Sequence, residues 1–200
     1  PVAVEIVDLT LRDVDLIALK EAFSVVEKAV AKKIEALYKT ECRKCHQATD
    51  AACFIWNEDK PALVRYECTC GKREEHGAKL NADDKKAIKD VEDTLAASKL
   101  WYPHDPLYYP DGSPFKEKQK YNSIPELFTE RNLYALALLM RQIEKESDPL
   151  LRRFLKITFS SMVHNCTKMM PVGSPADTNH YTYFSSPGWT QHSYWHTPRF

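Results

Sequence analysis

Apolar residues recur every three or four positions in four segments of the chain, which is the spacing of an amphipathic α-helix. The first segment follows Asp13, which can cap a helix that continues to about Tyr38. The second follows Asn81 and continues to about Ser98. The residues predicted to face inward are Leu16, Leu19, Phe23, Val26, Val30, Ile34 and Leu37 in the first helix and Ile88, Val91 and Leu95 in the second. These two helices can pair antiparallel and carry the segment between them at their tip.

The other two helical segments are close neighbours in the chain. One begins at Thr129 and continues to about Lys145. The other begins at Asp148-Pro149, an N-cap followed by proline at the first helical position, and continues to Met169. Because only a few residues join the two helices, they are predicted to form an antiparallel hairpin. Their inward-facing residues are Leu133, Leu136, Ala137, Met140 and Ile143, followed by Leu151, Phe154, Leu155, Thr158, Met162 and Cys166.

The pattern changes between the first two helices, where short β-prone runs replace the helical spacing. Residues 54–56 (Phe-Ile-Trp) and 63–66 (Leu-Val-Arg-Tyr) are rich in β-branched and aromatic side chains. Residues 57–61 (Asn-Glu-Asp-Lys-Pro) have the composition of a turn. A strand, a turn and a second strand are therefore predicted.

Two close cysteine pairs flank this hairpin. Cys42 and Cys45 precede it, Cys68 and Cys70 follow it, and 22 residues separate the pairs. A tetrahedral structural zinc site needs such pairs, because each clamps the ion from one tight turn and the hairpin brings the turns together. No secretion signal is present, which favours metal over disulfides. We therefore predict a zinc ribbon over residues 41–73 with these four cysteines as ligands.

The second pair is one residue shorter than a standard Cys-x-x-Cys turn. Both of its thiols can still bind one ion, or one ligand can come from Cys53, His46 or His76. Four free thiols or two disulfides are the alternatives to metal. Cys166 lies in a helical segment and is interpreted as a small buried apolar residue.

The predicted fold class is mainly α with a small β zinc ribbon. Residues 1–99 form a helical stalk that carries the ribbon, 100–122 a connector, 123–170 the helix hairpin and 171–200 a tail. Four prolines exclude a helix in the connector. Its Trp101, Tyr108 and Tyr109 are expected to pin it to the body, with a stacking surface for bases as the alternative. The tail has no period but is too aromatic for a flexible linker, so we expect it to pack on a body outside this chain.

Composition narrows the class of protein without identifying it. Apolar residues make up 44% and charged residues 28%, both ordinary for a soluble globular protein. No run reaches the roughly 18 apolar residues of a membrane span, so we expect a cytoplasmic protein without a membrane partner. The net charge is zero, but from residue 150 onward five basic residues accompany a single acid. That surplus fits a nucleic-acid surface and a solvated basic face equally well.

Three runs resemble one family. They are Ser-Ile-Pro-Glu-Leu-Phe-Thr-Glu-Arg-Asn-Leu at 123–133, Phe-Ser-Ser-Met-Val-His-Asn-Cys-Thr-Lys-Met at 159–169, and Gly-Trp-Thr-Gln-His-Ser-Tyr-Trp-His-Thr-Pro-Arg-Phe at 188–200. Together they are similar to the middle region of bacterial amino-group DNA methyltransferases, the adenine or cytosine amine methylases that carry a zinc-ribbon insertion. The opening Pro-Val-Ala-Val is similar to the junction after the cofactor-binding half, so the chain is interpreted as a piece of a longer enzyme.

The resemblance implies a recognition role rather than chemistry. The chain lacks the Gly-rich loop that binds S-adenosylmethionine, and its Asp-Pro-Leu-Tyr at 105–108 is not the family's catalytic loop. The implied partners are double-stranded DNA and the catalytic domain of the parent enzyme, and the isolated chain is expected to be inactive. A target base must be turned out of the duplex while another surface reads its surroundings. The implied phosphate or base-edge contacts are Arg131, Lys168 and Arg199, and the implied stacking residues are Trp189, Tyr194 and Trp195.

Two other readings stay open. Packing against the catalytic body explains those six residues equally well, and Asn132, His164 and Asn165 are expected to hydrogen-bond between helices. A zinc-ribbon adaptor that grips a protein and touches no DNA is the second hypothesis, which the zero net charge favours mildly. A stand-alone enzyme is the third and weakest hypothesis: histidines are numerous, but no Ser/His/Asp or Cys/His pattern has a supporting motif. Restriction, defence against phage and gene regulation are all compatible with the sequence.

Overall fold

The computed structural model of the chain describes residues 7–9, 11–57, 60–114, 121–163 and 166–167, and at residues 53, 55–57, 60, 75 and 76 it describes the backbone alone. Its longer helices and its strands are α1 (Leu16–Leu37), β1 (Lys39–Glu41), β2 (Ala48–Asn57), β3 (Lys60–Glu67), β4 (Arg73–Lys79), α2 (Ala82–Ala97), α3 (Glu130–Ile143) and α4 (Pro149–Val163). A short 3-10 turn at Pro125–Leu127 precedes α3.

Helix α1 is capped by Asp15, two residues later than predicted. The Asp15 carboxylate accepts hydrogen bonds from the backbone N–H groups of Ile17 at 2.8 Å and Ala18 at 3.2 Å. Leu16 is 73% exposed, so the predicted apolar stripe begins one turn too early. The residues of α1 that are buried are Ala22, Val26, Val30 and Ile34.

Helix α2 follows its sequence pattern closely. Asn81 caps it, and Asp84 returns the contact in a reciprocal capping box. Three apolar residues are buried, and they are the three predicted: Ile88, Val91 and Leu95.

Helix α3 is the central helix of the fold, because it contacts α1, α2 and α4. Four of the five predicted residues are buried, Met140 is half-buried, and Ala135, Leu138 and Leu139 are buried as well, so α3 is covered on almost every side. A one-sided stripe is the pattern of a surface helix, and it underestimates a helix with three neighbours. Helix α4 is capped by Asp148, whose carboxylate accepts the Leu150 N–H at 2.7 Å. The helix packs on α3, so the two form the predicted helix hairpin.

The prediction of a mainly α fold with a small ribbon is wrong: the fold is mixed α/β. Within the described residues the strands form one antiparallel sheet in the order β1-β2-β3-β4. The predicted pair became β2 and β3, of ten and eight residues. Strands β1 and β4 were missed because their sequences, Lys-Thr-Glu and Arg-Glu-Glu-His-Gly-Ala-Lys, have little β propensity. They become strands because a neighbouring edge offers backbone hydrogen bonds.

The sheet packs on the helices instead of standing at the tip of a stalk. Phe54, Val64 and Tyr66 of the sheet belong to one buried cluster with Val30 of α1 and Leu138 of α3. In the register, Phe54 faces Val64 across β2 and β3. The sheet and the helices therefore share one apolar core.

The connector is irregular, as its prolines predicted. It is stapled by isolated bridges between Pro106 and Ser123 and between Tyr108 and Pro114. The expectation that aromatic rings pin it is wrong for two of the three, because Trp101 is 71% and Tyr108 60% exposed. Tyr102, which was not predicted, packs against both buried clusters instead. Among the described helices, no segment is both long and apolar enough to cross a bilayer.

Candidate metal centre

The four predicted cysteines converge at the end of the sheet where β1 and β3 finish and β2 and β4 begin. The sulfur atoms of Cys42, Cys45, Cys68 and Cys70 all lie within 4.8 Å of one another. Cys42 is 3.7 Å from Cys70, and Cys45 is 3.6 Å from Cys68. Tetrahedral tetrathiolate sites have metal–sulfur bonds of about 2.3 Å, which places their sulfurs about 3.8 Å apart. The group can therefore hold one metal ion.

The first turn is built between β1 and β2. Cys42 donates its backbone N–H to the Gln47 carbonyl at 2.9 Å, and His46 donates to the Cys42 carbonyl at 3.0 Å. The Lys44 N–H points at the Cys42 sulfur at 3.5 Å. His46 takes a φ of 60°, which closes the turn in the left-handed region. These bonds direct both thiols of the pair toward the same side.

The second turn explains how the short Cys-x-Cys pair brings two sulfurs to the group. Cys68 donates its N–H to the Lys72 carbonyl at 2.8 Å, and Gly71 donates to the Cys68 carbonyl at 2.9 Å. Gly71 has a φ of 82°, a conformation that glycine adopts without strain. The glycine reverses the chain directly after Cys70, so a shorter spacing still brings both sulfurs into the group.

None of the alternatives to this set of four thiols is seen in the described residues. His46 is turned away from the sulfurs, because its Nδ1 lies 2.7 Å from a Glu41 carboxylate oxygen. The side chains of Cys53 and His76 are outside the described structure. The two-disulfide alternative does not hold in this geometry, since Cys42, Cys45, Cys68 and Cys70 are free. Cys166 is also free and is buried, as predicted, far along the chain.

Proton affinity is distributed unequally among the thiols. Burial disfavours ionisation of Cys42, but hydrogen bonds from the N–H groups of Cys45 and Lys44 and from neighbouring thiols outweigh it and lower the pKa of Cys42 to about 6. Near Cys45 the Gln47 N–H favours the thiolate, whereas burial and the thiol–thiol hydrogen bonds raise the pKa to about 12. The N–H groups of the turn therefore make Cys42 the thiol that ionises more readily, whereas Cys45 holds its proton more tightly.

Arg43 ties the first turn to the rest of the fold. It lies between the two ligands of that turn, and its backbone N–H donates to the Tyr66 hydroxyl at 2.7 Å. Its guanidinium donates to the carbonyls of Glu41 and Lys79 and forms an ion pair with Asp84. One side chain thus links β1, the end of β4 and the start of α2.

Asp84 receives this ion pair in a buried position, with 3% of the residue exposed. One carboxylate oxygen accepts the Thr40 hydroxyl at 2.7 Å, and the other accepts the Arg43 guanidinium and the Asn81 N–H. Asp84 in turn donates its backbone N–H to the Asn81 side chain at 2.8 Å. The helix cap and the metal turn therefore share one carboxylate. The ion pair of Asp84 with Arg43 was not predicted, although Asn81 and Asp84 have the spacing of a capping box.

The Thr-x-Arg-Asn run that carries the family resemblance lies in the core. Thr129 caps α3 by accepting the Asn132 N–H at 3.2 Å. The Asn132 side chain accepts a hydrogen bond from the Tyr38 hydroxyl and donates to the Cys166 carbonyl at 2.9 Å. Burial raises the pKa of Tyr38, so its hydroxyl keeps the proton that it donates. The expectation that Asn132 hydrogen-bonds between helical segments is met by these contacts.

Arg131 is placed under the sheet rather than on a DNA-facing surface. It is 7% exposed, and its guanidinium lies 4.1 Å from the centre of the Phe54 ring and 5.5 Å from that of Tyr38. Burial lowers the pKa of Arg131 to about 10, which leaves it charged at neutral pH. This position suits packing, the alternative left open above. The other predicted DNA contacts and two expected hydrogen-bonding residues lie outside the described residues: Lys168, Trp189, Tyr194, Trp195, Arg199, His164 and Asn165.

An apolar cavity of about 110 Å³ lies between the connector and the helix hairpin. Trp101, Phe128, Leu136, Met140 and Phe159 are among its lining residues. Its surface is apolar almost throughout, so it lacks the convergent polar groups that orient a specific ligand. The four-cysteine group, where donors do converge, is the stronger candidate site.

Comparison of the chain with protein-family models, with curated proteins and with solved structures found no match.

Proposed function

We propose that the four-cysteine group is a structural zinc site. The observation that carries the proposal is the mutual distance of the sulfurs, which all lie within 4.8 Å of one another and are 3.6 Å and 3.7 Å apart for two pairs across the turns, as suits a tetrahedral ion. All four positions of the ion would be filled by protein, and a catalytic zinc needs an open position. The ion would therefore lock the two turns together and contribute to folding.

Elemental analysis of freshly purified, reduced protein tests the metal. We expect close to one zinc per chain. A metal content near zero in protein whose thiols react fully with a thiol reagent would contradict the site.

We further propose that the chain is the target-recognition region of a bacterial DNA methyltransferase that methylates a base amine. This proposal is supported by the resemblance of three runs and by the position of one of them. Thr129 caps α3, Arg131 stacks on Phe54 of the sheet, and Asn132 accepts a hydrogen bond from Tyr38 at the end of α1. The run therefore has a physical task, which is to hold the zinc-bearing sheet against the helix hairpin. A recognition region needs such rigidity to place a reading surface relative to a catalytic pocket.

In this proposal the parent enzyme supplies the chemistry. S-adenosylmethionine would bind to the parent's catalytic part, and this chain would contact duplex DNA beside the flipped base. The isolated chain is then expected to bind DNA weakly, to bind no S-adenosylmethionine in calorimetry and to transfer no methyl group. The cytoplasm, where bacterial DNA lies, is the location that goes with this function.

Fluorescence anisotropy with a labelled mixed-sequence duplex at two salt concentrations tests DNA binding. We expect dissociation constants of roughly 10⁻⁴ to 10⁻⁶ M, with affinity that falls as salt rises, because each phosphate contact steepens the logarithmic salt slope by about 0.9. The double substitution of Lys168→Ala and Arg199→Ala should weaken binding and flatten the slope. Lys28→Ala with Lys32→Ala is the matched control, since both lysines are exposed on α1. Binding that ignores salt, or that only the control pair reduces, would place DNA on a different face.

Two observations favour the adaptor function as the second candidate. Several charges of the ribbon are already paired within the chain: Lys39 with Asp50, Lys72 with Glu74 and Arg73 with Glu67. Charges paired in this way are less available to phosphates. In addition, α1 exposes apolar side chains, with Ile17 72% exposed. Absence of DNA binding even at low salt would therefore move the assignment to a zinc-bearing protein-interaction module.

A further inference from the structure

We infer that Arg43 and Asp84 form a latch through which metal binding at the four cysteines controls the docking of helix α2. The inference rests on the proposed zinc site and adds two positioning residues to it. Neither residue is a ligand; each acts by connecting the metal turn to the helical body.

The latch is anchored on the helix side by a buried carboxylate. Asp84 lies in the first turn of α2, and its oxygens are occupied by Thr40, Asn81 and Arg43. Arg43 is the cation of this group: Arg131 acts on Asp84 through space, without an ion pair between them in the described part of the chain. A buried carboxylate that loses its cation is strongly destabilised. The state in which the N-terminal turn of α2 opens to water then has the lower free energy.

On the metal side, the position of Arg43 is set by the ligands next to it. Arg43 follows Cys42 directly, and its backbone N–H is fixed on the Tyr66 hydroxyl. Metal–sulfur bonds would hold Cys42 and Cys45 against Cys68 and Cys70, whereas without an ion the two turns are joined by thiol contacts of 3.6–3.7 Å and by the hydrogen bond from Arg43 to Tyr66. Release of the first turn displaces the Arg43 backbone and withdraws its guanidinium from Asp84.

Helix α2 is suited to respond because it is held less firmly than α3, although it contacts α3, α1 and β1. It buries three apolar side chains, and its first turn contains a second, exposed acid, Asp83. Helix α3, by contrast, is buried on almost every side. Loss of the latch should therefore loosen α2 while α3 stays folded. Local opening of a weakly packed element below the global unfolding free energy is common in proteins.

Linkage makes the inference quantitative. If metal strengthens the docking of α2 by some factor, then docking of α2 must strengthen metal binding by the same factor. A variant that breaks the latch should therefore weaken both the docking of α2 and the binding of metal. Coupling of this kind typically amounts to between about 5-fold and 150-fold.

Hydrogen exchange read by mass spectrometry tests the latch on the full chain. The amides of residues 82–97 report α2, those of 130–143 report α3, and zinc content is measured on the same samples. In the parent chain, a chelator under reducing conditions should speed exchange in α2 by at least about fivefold and leave α3 nearly unchanged. In zinc-loaded Arg43→Met, exchange in α2 should already be fast. Its zinc affinity, measured by chelator competition, should fall by the factor by which chelation speeds α2 exchange in the parent chain.

Two further variants make the result decisive. Lys86→Met removes an exposed positive charge from α2 itself, outside the metal turn and the latch, and should behave like the parent chain. Arg43→Lys keeps the charge but loses the forked geometry, so it should give an intermediate rate even if Arg43→Met folds poorly.

Each outcome separates the latch from the metal site. A zinc content near zero in the parent chain overturns the zinc site and the latch with it. A zinc-loaded parent chain whose α2 exchange ignores the chelator overturns the latch alone, and so does a loaded Arg43→Met that keeps the protection of the parent. Equal loss of protection in α2 and α3 on chelation also contradicts the latch, because the ion then holds the whole fold rather than one helix.

Discussion

Tyr38, at the end of α1, donates a hydrogen bond to the side chain of Asn132, which lies 94 positions later in the first turn of α3. The bond is buried, and the other end of the same amide holds the Cys166 carbonyl at 2.9 Å. Asn132 therefore joins α1, α3 and the segment after α4. An amide that satisfies partners on both sides specifies how these segments pack, since a shifted arrangement would leave polar groups unpaired in the core.

Removal of the Tyr38 hydroxyl should destabilise the fold. Tyr38→Phe leaves the Asn132 oxygen without its donor in a buried site, at a cost of about 1–3 kcal/mol. Urea unfolding followed by circular dichroism measures the change. Tyr108→Phe is the control, because Tyr108 is largely exposed and its hydroxyl is not buried in the core. Equal stability of Tyr38→Phe and the parent chain would mean that water replaces the lost contact.

Zinc content should depend on Cys42, a cysteine of the proposed metal site, and not on Cys166, which lies outside that site. Cys42→Ser should lower zinc content well below one per chain and reduce the melting temperature by about 10 °C or more, because structural zinc contributes directly to folding. Cys166→Ser, which changes a buried thiol outside the group, should keep the zinc even if it lowers stability. Elemental analysis and thermal melts read both effects. Full zinc content in Cys42→Ser would mean that another residue is the fourth ligand.

Metal affinity should depend steeply on pH. Metal binds thiolates; because the pKa of Cys45 is raised to about 12, its proton must leave on binding at neutral pH. The pKa of Cys42 is lowered to about 6 from an ordinary 9.0. The Cys42 thiolate therefore stabilises the metal-free fold above its ordinary pKa of 9.0, and this stabilisation is lost as pH falls through about 6. Below that pH, Cys42 must also lose a proton before it can bind metal. We therefore expect proton release on zinc binding at pH 7.5, seen as a buffer-dependent calorimetric enthalpy, and a sharp fall in affinity below about pH 6. Enthalpies that are the same in all buffers would contradict the ionisation pattern.

The charge of Arg131 should prove dispensable for stability, as long as the volume of the side chain is kept. Its guanidinium is buried on the Phe54 ring, and within the described residues it forms no hydrogen bond and no ion pair. Arg131→Met keeps much of the volume and removes the cost of burying a charge, so stability should stay within about 1 kcal/mol or rise. Arg131→Asp is the contrasting variant, which should destabilise strongly by placing an acid in the core. If Arg131→Met retains its fold and loses DNA binding, the packing role of Arg131 is wrong.

Local signals in the sequence were sufficient for the parts of the fold that depend on a few neighbouring residues. Helix α2, from its Asn81 cap to its three buried apolar positions, follows from spacing alone. The four cysteines were recognisable as one group because close pairs at the ends of a strand hairpin must meet when the hairpin closes. The glycine after Cys70 also supports the short second turn, since it allows an immediate reversal of the chain.

Tertiary structure decided what depends on contacts between distant segments. Strands β1 and β4 carry mostly charged residues, and only the edges of β2 and β3 make strands of them. Arg131 looked like a phosphate contact in sequence, yet the sheet covers it, because burial is set by what packs above a residue. Arg43 and Asp84 are 41 positions apart. Their ion pair exists because the hairpin folds back and returns the chain to the start of α2, which no local pattern encodes.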